Sequence, residues 1–309
     1  MASALGSSGL YVAVLLVLFW CVAPRPAARA AVLLLFGAYL NTLLKFVFHD
    51  PRPYWTDPAV EGEQAISSFG MPSGHAQNAA TGWGFAALQT RRRALWAGAA
   101  VVIVLIGLSR VYLGVHSIGQ VLAGWGIGFA LLGVALIAGP YIVTWWTSRR
   151  LAVQLVLALA VSLLLLGAAW AALEPLDGWR WPAAWTAEIR EAGGRAEPLT
   201  PAEPARAAGG LGGVLAGLSV LKARGWFVPG DGLWRRLACL PVALGGGAVV
   251  YLPAILIGGS GSWEGFAVHA ALGLWVTAGA PEAFVGLRLA ARPTPDLTRP
   301  GEEAAGTRQ

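Results

Sequence analysis

The feature that most constrains this chain is a series of apolar runs, each about as long as a lipid bilayer is thick, separated by short charged stretches. Residues 151–173 read LAVQLVLALAVSLLLLGAAWAAL without a charge. At about 1.5 Å per helical residue, such a run crosses the ~30 Å hydrocarbon core of a membrane. Comparable runs occupy 8–24, 30–48, 94–109, 116–140, 207–223, 237–258 and 264–289. A less apolar one opens at Ser73 and stops before Arg91-Arg92-Arg93, which suits a helix packed inside a bundle. Backbone in lipid must satisfy its own hydrogen bonds, so the runs are expected to be helices. The expected fold is an all-α, polytopic integral membrane protein. A six-helix core over residues 1–173 is joined by residues 174–206 to three further C-terminal transmembrane helices over 207–290.

Smaller features refine this reading. Only 12% of residues are charged, about half the usual share, which excludes a disordered chain and points to a polytopic membrane protein. The net charge of +6 marks no basic face, because the cations punctuate apolar runs, and nucleic acid is not an expected partner. No positive charge precedes the first run, so it reads as a retained helix and not a cleaved leader. Gly209, Gly213 and Gly217 are spaced to let two helices approach closely. Pro182 to Glu191 fits a short helix on the membrane surface or a solvated loop. Trp145 and Trp146 fit an interfacial belt before Arg149 and Arg150. Cys21 and Cys239 lie in apolar runs and read as free buried thiols, no metal-ligand cluster is visible, and His269 reads as a packed polar group. The tail over 291–309 is Pro- and charge-rich and is expected to be disordered.

The cations also orient the chain. With the N-terminus outside, Arg25/Arg29, Arg91–Arg93, Arg149/Arg150, Lys222/Arg224/Arg235/Arg236 and the C-terminal arginines all fall on the cytoplasmic side. Most of the 22 lysines and arginines are then accounted for. The expected location is a bacterial plasma membrane, with the C-terminus cytoplasmic.

Three polar islands interrupt the apolar texture: KFVFHDPRP over 45–53, PSGH over 72–75 and SRVYLGVHSIGQ over 109–120. They hold three of the four histidines, His49, His75 and His116, beside Lys45, Arg52 and Arg110. Orientation puts all three islands on the extracytoplasmic face. Imidazoles among fixed cations suit an anion, above all a phosphate. Lys45 offers a point charge and Arg52 a planar fork. Ser73 is placed to cap a helix whose first N–H groups attract anions, and Gly74 lets backbone approach closely. His116 and Gln120 lie four apart on one helical face, so Gln120 can engage one imidazole nitrogen and leave the other free. Asp50 and Asp57 fit turn residues or counter-charges to these cations. His49 reads as interfacial or as a substrate contact. Tyr54, Trp55 and Tyr112 fit either pocket walls or an aromatic belt.

Taken together, the islands resemble the signature of the type 2 phosphatidic acid phosphatase superfamily. That group includes glucose-6-phosphatase, dolichyl and undecaprenyl diphosphatases and the vanadium haloperoxidases. Lys45, Arg52-Pro53, Pro72-Ser73-Gly74-His75, Ser109-Arg110 and His116 match its motifs. The usual closing Asp is Gln120 here, as in the dolichyl diphosphatase and glucose-6-phosphatase branches. The resemblance implies a phosphoric ester or diphosphate hydrolase that needs no metal or other cofactor. In it His116 attacks phosphorus to form a phosphohistidine, His75 serves the leaving oxygen and then water, and Gln120 orients His116. Lys45, Arg52, Ser73, Gly74 and Arg110 bind the phosphoryl oxygens. The implied partners are the bilayer and a lipid phosphate or diphosphate of isoprenoid or phosphatidate type. Alternatives are a soluble ester such as a sugar phosphate, or a catalytically silent lipid-binding or transport relative. Oligomeric state is left open.

Overall fold

The computed structural model describes residues 8–62, 64, 66–90, 92–194, 200–257 and 261–293. Among them the chain is built from helices, with one pair of two-residue strands. Arg91 and the tail from residue 294 onward, on which two expectations rest, lie outside the described residues.

The first apolar run forms α1 (Ser8–Val17) and a π-helical turn, Leu18–Val22. Helix α2 follows as Pro24–Phe48. It is longer than the expected 30–48, so Arg25 and Arg29 sit in its first turns and not in a loop. Prolines are tolerated in a first turn, whose N–H groups lack intrahelical partners, and the alanines that follow favour helix. One turn, α3 (Pro53–Thr56), leads to the loop before α4 (Gly74–Leu88). Helices α5 (Arg93–Tyr112) and α6 (Ile118–Ile137) come next. The expected helix over 116–140 is α6, which stops at Ile137; Pro140 lacks the N–H that would continue it and sits in the first turn of a further helix, α7 (Gly139–Thr147). Helix α8 spans Leu151–Leu173, as expected.

The helical alternative holds at Pro182–Glu191, which forms α9 (Ala183–Glu191). Three more segments follow: α10 (Ala202–Ala223), α11 (Leu233–Ile257) and α12 (Ser262–Leu274). Helix α12 runs through a π turn, Trp275–Gly279, into α13 (Ala280–Gly286). Val228–Pro229 (β1) pairs antiparallel with Ala290–Ala291 (β2).

Among the described residues, six helical stretches are long and apolar enough to span a bilayer: Pro24–Thr56, Arg93–Tyr112, Ile118–Ile137, Leu151–Leu176, Ala202–Ala223 and Leu233–Pro253. Nine spans were expected; the other three are short or interrupted by π geometry. Leu108, Leu122 and Phe129 lie bare on α5 and α6, and Val156 and Leu164 on α8. Apolar faces of this extent belong in lipid, and the protein is an all-α integral membrane protein.

Helix α2 is the axis of the bundle and touches α4, α6, α8 and α10. At its start, Phe19, Trp20 and Cys21 pack with Phe227, Cys239 and Phe284. Both cysteines are free and buried. This end gathers cations: Arg25 lies over Trp226, and Arg224 and Arg292 meet Glu282. Trp145 stacks under Arg149, whereas Trp146 donates to Ser219 Oγ at 3.0 Å and so ties α7 to α10. His269 donates to the Gly265 carbonyl at 2.8 Å, one turn back in α12.

Helices α10 and α12 pack along each other through the small-residue stripe. A methyl at Gly213 would run into the Ala270 carbonyl. Backbone cannot move aside as a side chain can. Gly213→Ala is therefore expected to cost about 1–3 kcal/mol, lowering the melting temperature in detergent by a few degrees. Gly167→Ala, which meets nothing within 4 Å, is the control and should leave it unchanged.

Candidate active site

At the other end of α2 the three polar islands meet. Lys45 sits in the last turn of α2 and is 8% exposed. Its ammonium donates to Ser68 Oγ at 3.0 Å and to the Phe69 carbonyl at 2.6 Å. His49 ends the helix in a left-handed conformation, φ 35°, so the chain turns sharply before Pro51. Arg52 is extended, φ −80° and ψ 153°, as the proline after it demands.

The Arg52 guanidinium is 1% exposed, and every one of its donors is engaged. Nε donates to the Ser68 carbonyl at 2.7 Å. Nη1 donates to the Val115 carbonyl at 2.7 Å and to His116 Nε2 at 3.1 Å. Nη2 donates to Ser68 Oγ and the Phe69 carbonyl, both at 3.2 Å. One side chain thus pins the loop around 68–69 to the loop around 115–116.

Ser117 caps α6 and forms a capping box with Gln120. His116 lies just before the cap, buried at 3% exposure. Burial, and next the charges of Arg52 and Lys45, hold its imidazole well below the usual range, against a smaller opposing pull from the Gln120 hydrogen bond. The ring is therefore neutral near pH 7. Its Nδ1 faces Gln120 Oε1 at 3.0 Å.

Ser73 caps α4, its Oγ accepting from the Ala76 N–H at 3.5 Å, and its own N–H donates to the Gln120 carbonyl at 3.0 Å. A Cβ at Gly74 would sit 3.1 Å from Asn41 Oδ1, so glycine lets α2 come close to the start of α4. Asn41 donates to Gln77 Oε1 at 2.9 Å, and Gln77 to the Gly37 carbonyl at 2.7 Å, which fixes α4 on α2. His75, on the first turn of α4, is within electrostatic reach of Arg110, Arg52, Lys45 and His116.

Arg110 is fully buried near the end of α5. It donates to Ser109 Oγ and Gln64 Oε1, both at 3.3 Å, and its Nη2 has no partner among the described residues. No carboxylate forms a salt bridge with Lys45, Arg52 or Arg110 among the described residues. Three buried cations and a free donor describe a place for an anion.

Lys45, Arg52, Ser73, Gly74, His75, Arg110, His116 and Gln120, the candidate site residues of the sequence, thus lie at this end of the bundle. Asp50, read as a turn residue or a counter-charge to the cations, accepts from Gln120 Nε2 at 2.6 Å. Two contributors had been missed: Ser68 and Phe69 receive both Lys45 and Arg52, and nothing in a bare loop serine marks such a role. Asp57, in contrast, does serve a turn, accepting from the Ala59 N–H at 2.9 Å. Tyr54 and Trp55 are buried under the loop, while Tyr112 is 89% exposed. Around Trp55 and Phe69 stack Trp179, Trp181 and Trp185. Their segment and α9, which packs on α3, roof the loop that holds Lys45 and Arg52.

The architecture defines a class first: a helical membrane protein with a cationic, histidine-bearing site at one end of its bundle. Residues 26–144 match the model of the PAP2 superfamily, and residues 205–292 that of the PAP2 superfamily phosphatase, transmembrane extension. The two matches together cover more than half of the chain, which belongs to the PAP2 superfamily.

Among curated proteins, phosphatidylglycerophosphatase B of Bacillus subtilis is 37% identical over 110 residues, 32% of this chain and 52% of that protein. Undecaprenyl-diphosphatase of Sulfolobus acidocaldarius is 34% identical over 90 residues, 29% of this chain and 43% of that protein. Lipid phosphate phosphatase delta of Arabidopsis thaliana is 29% identical over 157 residues, 45% of this chain and 37% of that protein. The matched segments span at most about half the length of these relatives. No solved structure gives a significant match.

Proposed function

We propose that the protein is a membrane phosphatase that hydrolyses a lipid phosphate or diphosphate through a phosphohistidine. One observation carries this reading: Lys45, Arg52 and Arg110 are buried together without a carboxylate salt bridge among the described residues. A phosphoryl group supplies the missing negative charge. The activities named for the relatives support the lipid class.

In the proposed reaction, His116 Nε2 attacks phosphorus in line, and the bond to the leaving oxygen breaks as His75 protonates it. His75 then takes a proton from water, whose oxygen displaces His116. Lys45, Arg52 and Arg110, with the amides at Ser73 and Gly74, hold the equatorial oxygens. The Arg52–His116 contact exchanges for phosphoryl oxygen when substrate enters. The reading assigns catalysis to residues 1–173, leaves 174–206 as the roof, and gives 207–290 a packing role. Cations gathered at the far end of the bundle support a cytoplasmic far end and an outward-facing site. There it meets lipid headgroups directly, which favours lipid over soluble esters.

The test is phosphate release by the purified protein in detergent with EDTA, from a polyprenyl diphosphate, phosphatidate and a sugar phosphate. Release from either lipid is expected. Preference for the sugar phosphate would overturn the lipid assignment, and no release from any would support the silent alternative. The depressed imidazole adds a signature. His116 must be neutral to attack, and a lowered folded-state value keeps it neutral as pH falls past ~6.5. The acid limb of kcat/KM is therefore expected below pH ~6; a limb near 7 would contradict it.

A further inference from the structure

Gln120 is the residue on which the state of His116 depends, and its amide can sit in only one way. Its Nε2 donates to Asp50 Oδ2 at 2.6 Å and to the Pro51 carbonyl at 2.8 Å. Both partners are acceptors. Its Oε1 accepts from the Ser117 N–H at 3.2 Å, and that partner can only donate. Turning the amide over would set oxygen against two oxygens and NH₂ against N–H. The Oε1 atom therefore faces His116 Nδ1, at 3.0 Å, and the proton of the neutral ring must be on Nδ1. The lone pair is then on Nε2, where Arg52 Nη1, a donor without acceptor capacity, already points at 3.1 Å. The chain of bonds from Asp50 decides which nitrogen of His116 is nucleophilic.

Asp50 is held for this task. The left-handed turn at His49 aims it back across the site, and Pro51 stiffens the next step. Its own carbonyl accepts from the Gly70 N–H at 2.8 Å. Glutamine alone brings no charge. A carboxylate behind it makes the first link charge-assisted and polarises the second.

We propose that Asp50 supplies the carboxylate of this site, as a positioning residue that acts on His116 through the Gln120 amide. The proposal rests on the phosphohistidine reading for its catalytic consequence. When the Nε2–phosphorus bond forms and the leaving oxygen departs with the proton from His75, the ring becomes cationic. The Nδ1 proton stays on the ring, hydrogen-bonded to Gln120 Oε1, and the Asp50 charge stabilises that cation from behind. No proton moves to Gln120 or Asp50.

Three variants and two readouts test this. Asp50→Asn can still accept from Gln120 but carries no charge. It is expected to lower kcat about 10-fold while keeping the Nδ1–H form of His116. Asp50→Ala removes both and is expected to lower kcat about 100-fold. Among the described residues the charged groups facing His116 are then Arg52, Lys45 and His75, so its protonation becomes harder. In both variants the acid limb of kcat/KM should move to lower pH, by up to about one unit. Loss of packing alone would lower the plateau without moving the limb.

The third variant is Gln120→Glu. Alone it sets a carboxylate against Asp50 and is expected to impair turnover. Combined with Asp50→Ala it places the charge directly on His116 and should recover most of the lost kcat. A double variant no better than either single one would overturn the proposal, as would Asp50→Asn with unchanged kcat and limb. The His116 tautomer, read by ¹⁵N NMR on the substrate-free protein, needs no turnover. An Nε2–H form in the unsubstituted protein would overturn the proposal even if the enzyme works. An Nδ1–H form in a protein that releases no phosphate would defeat the phosphatase reading and leave the positioning chain standing.

Discussion

Replacing His116 with alanine is expected to lower kcat by about 10⁴-fold or more, the scale seen when a covalent nucleophile is removed. The loss should not come from unfolding. The side chain makes two hydrogen bonds, to Arg52 and Gln120, and each contributes about 1 kcal/mol net. The substituted protein should therefore purify and melt cooperatively a few degrees lower. The informative readout is covalent. Rapid acid-quench of the parent with ³²P-labelled substrate should not preserve an acid-labile phosphohistidine, whereas alkaline denaturation should. His116→Ala should leave no label under alkaline conditions. His75→Ala separates the two histidines. If His75 serves the leaving oxygen, its loss falls mainly on poor leaving groups such as lipid alcohols. A p-nitrophenyl ester, which departs without a proton, should still label His116. Labelling that survives His116→Ala would sink the covalent mechanism.

How much of this was legible beforehand differs between fold and site. Helix α8 was readable to the residue, because 151–173 is a charge-free run between Arg150 and Glu174. The start of α2 was not. Pro24 and Pro26 look like a break in one dimension, yet the first turn is where a helix accommodates them. At the end of α6 the expected run stopped at Pro140, and the same first-turn tolerance lets that proline open α7, which was not expected. The π turn at Trp275–Gly279 leaves no mark in hydrophobicity. At the site, the residues with distinctive chemistry were visible because cations and imidazoles stand out in an apolar chain. Their supports were not. Ser68 acts through its position and its carbonyl, and a backbone carbonyl has no sequence signature. Asp50 precedes a proline, and turn chemistry or charge balance explains an aspartate there well enough that its link to Gln120 stayed hidden. What it touches lies 70 positions away. Pro182 to Glu191 fitted a surface helix or a solvated loop; its Trp185, with Trp179 and Trp181, packs on Trp55 and Phe69 instead.

Arg52→Lys should be nearly as damaging as loss of His116, although the charge is kept. The reason is the number and directions of the bonds. Arg52 donates to three carbonyls, one hydroxyl and one imidazole nitrogen in a single plane. A lysine ammonium has three donors and cannot reach both the 68–69 loop and the 115–116 loop. At least two bonds from a charged donor are lost, and such bonds are worth about 1.5–3 kcal/mol each. Carbonyls left buried and unpaired add to that cost. A fall in kcat/KM of about 10³-fold is therefore expected, together with a lower melting temperature. Stability and catalysis can be told apart with inorganic phosphate. An anion at 100 times its dissociation constant stabilises a folded protein by about 2.7 kcal/mol, so phosphate should raise the melting temperature of the parent. In Arg52→Lys the shift should shrink or vanish, because the fork that meets the oxygens is gone. In Gly213→Ala, far from the site but destabilised on its own account, the full shift should remain. A parent whose melting temperature ignores phosphate and vanadate would mean that the three buried cations do not form an anion site. The Arg52 bonds would then be scaffolding between two loops.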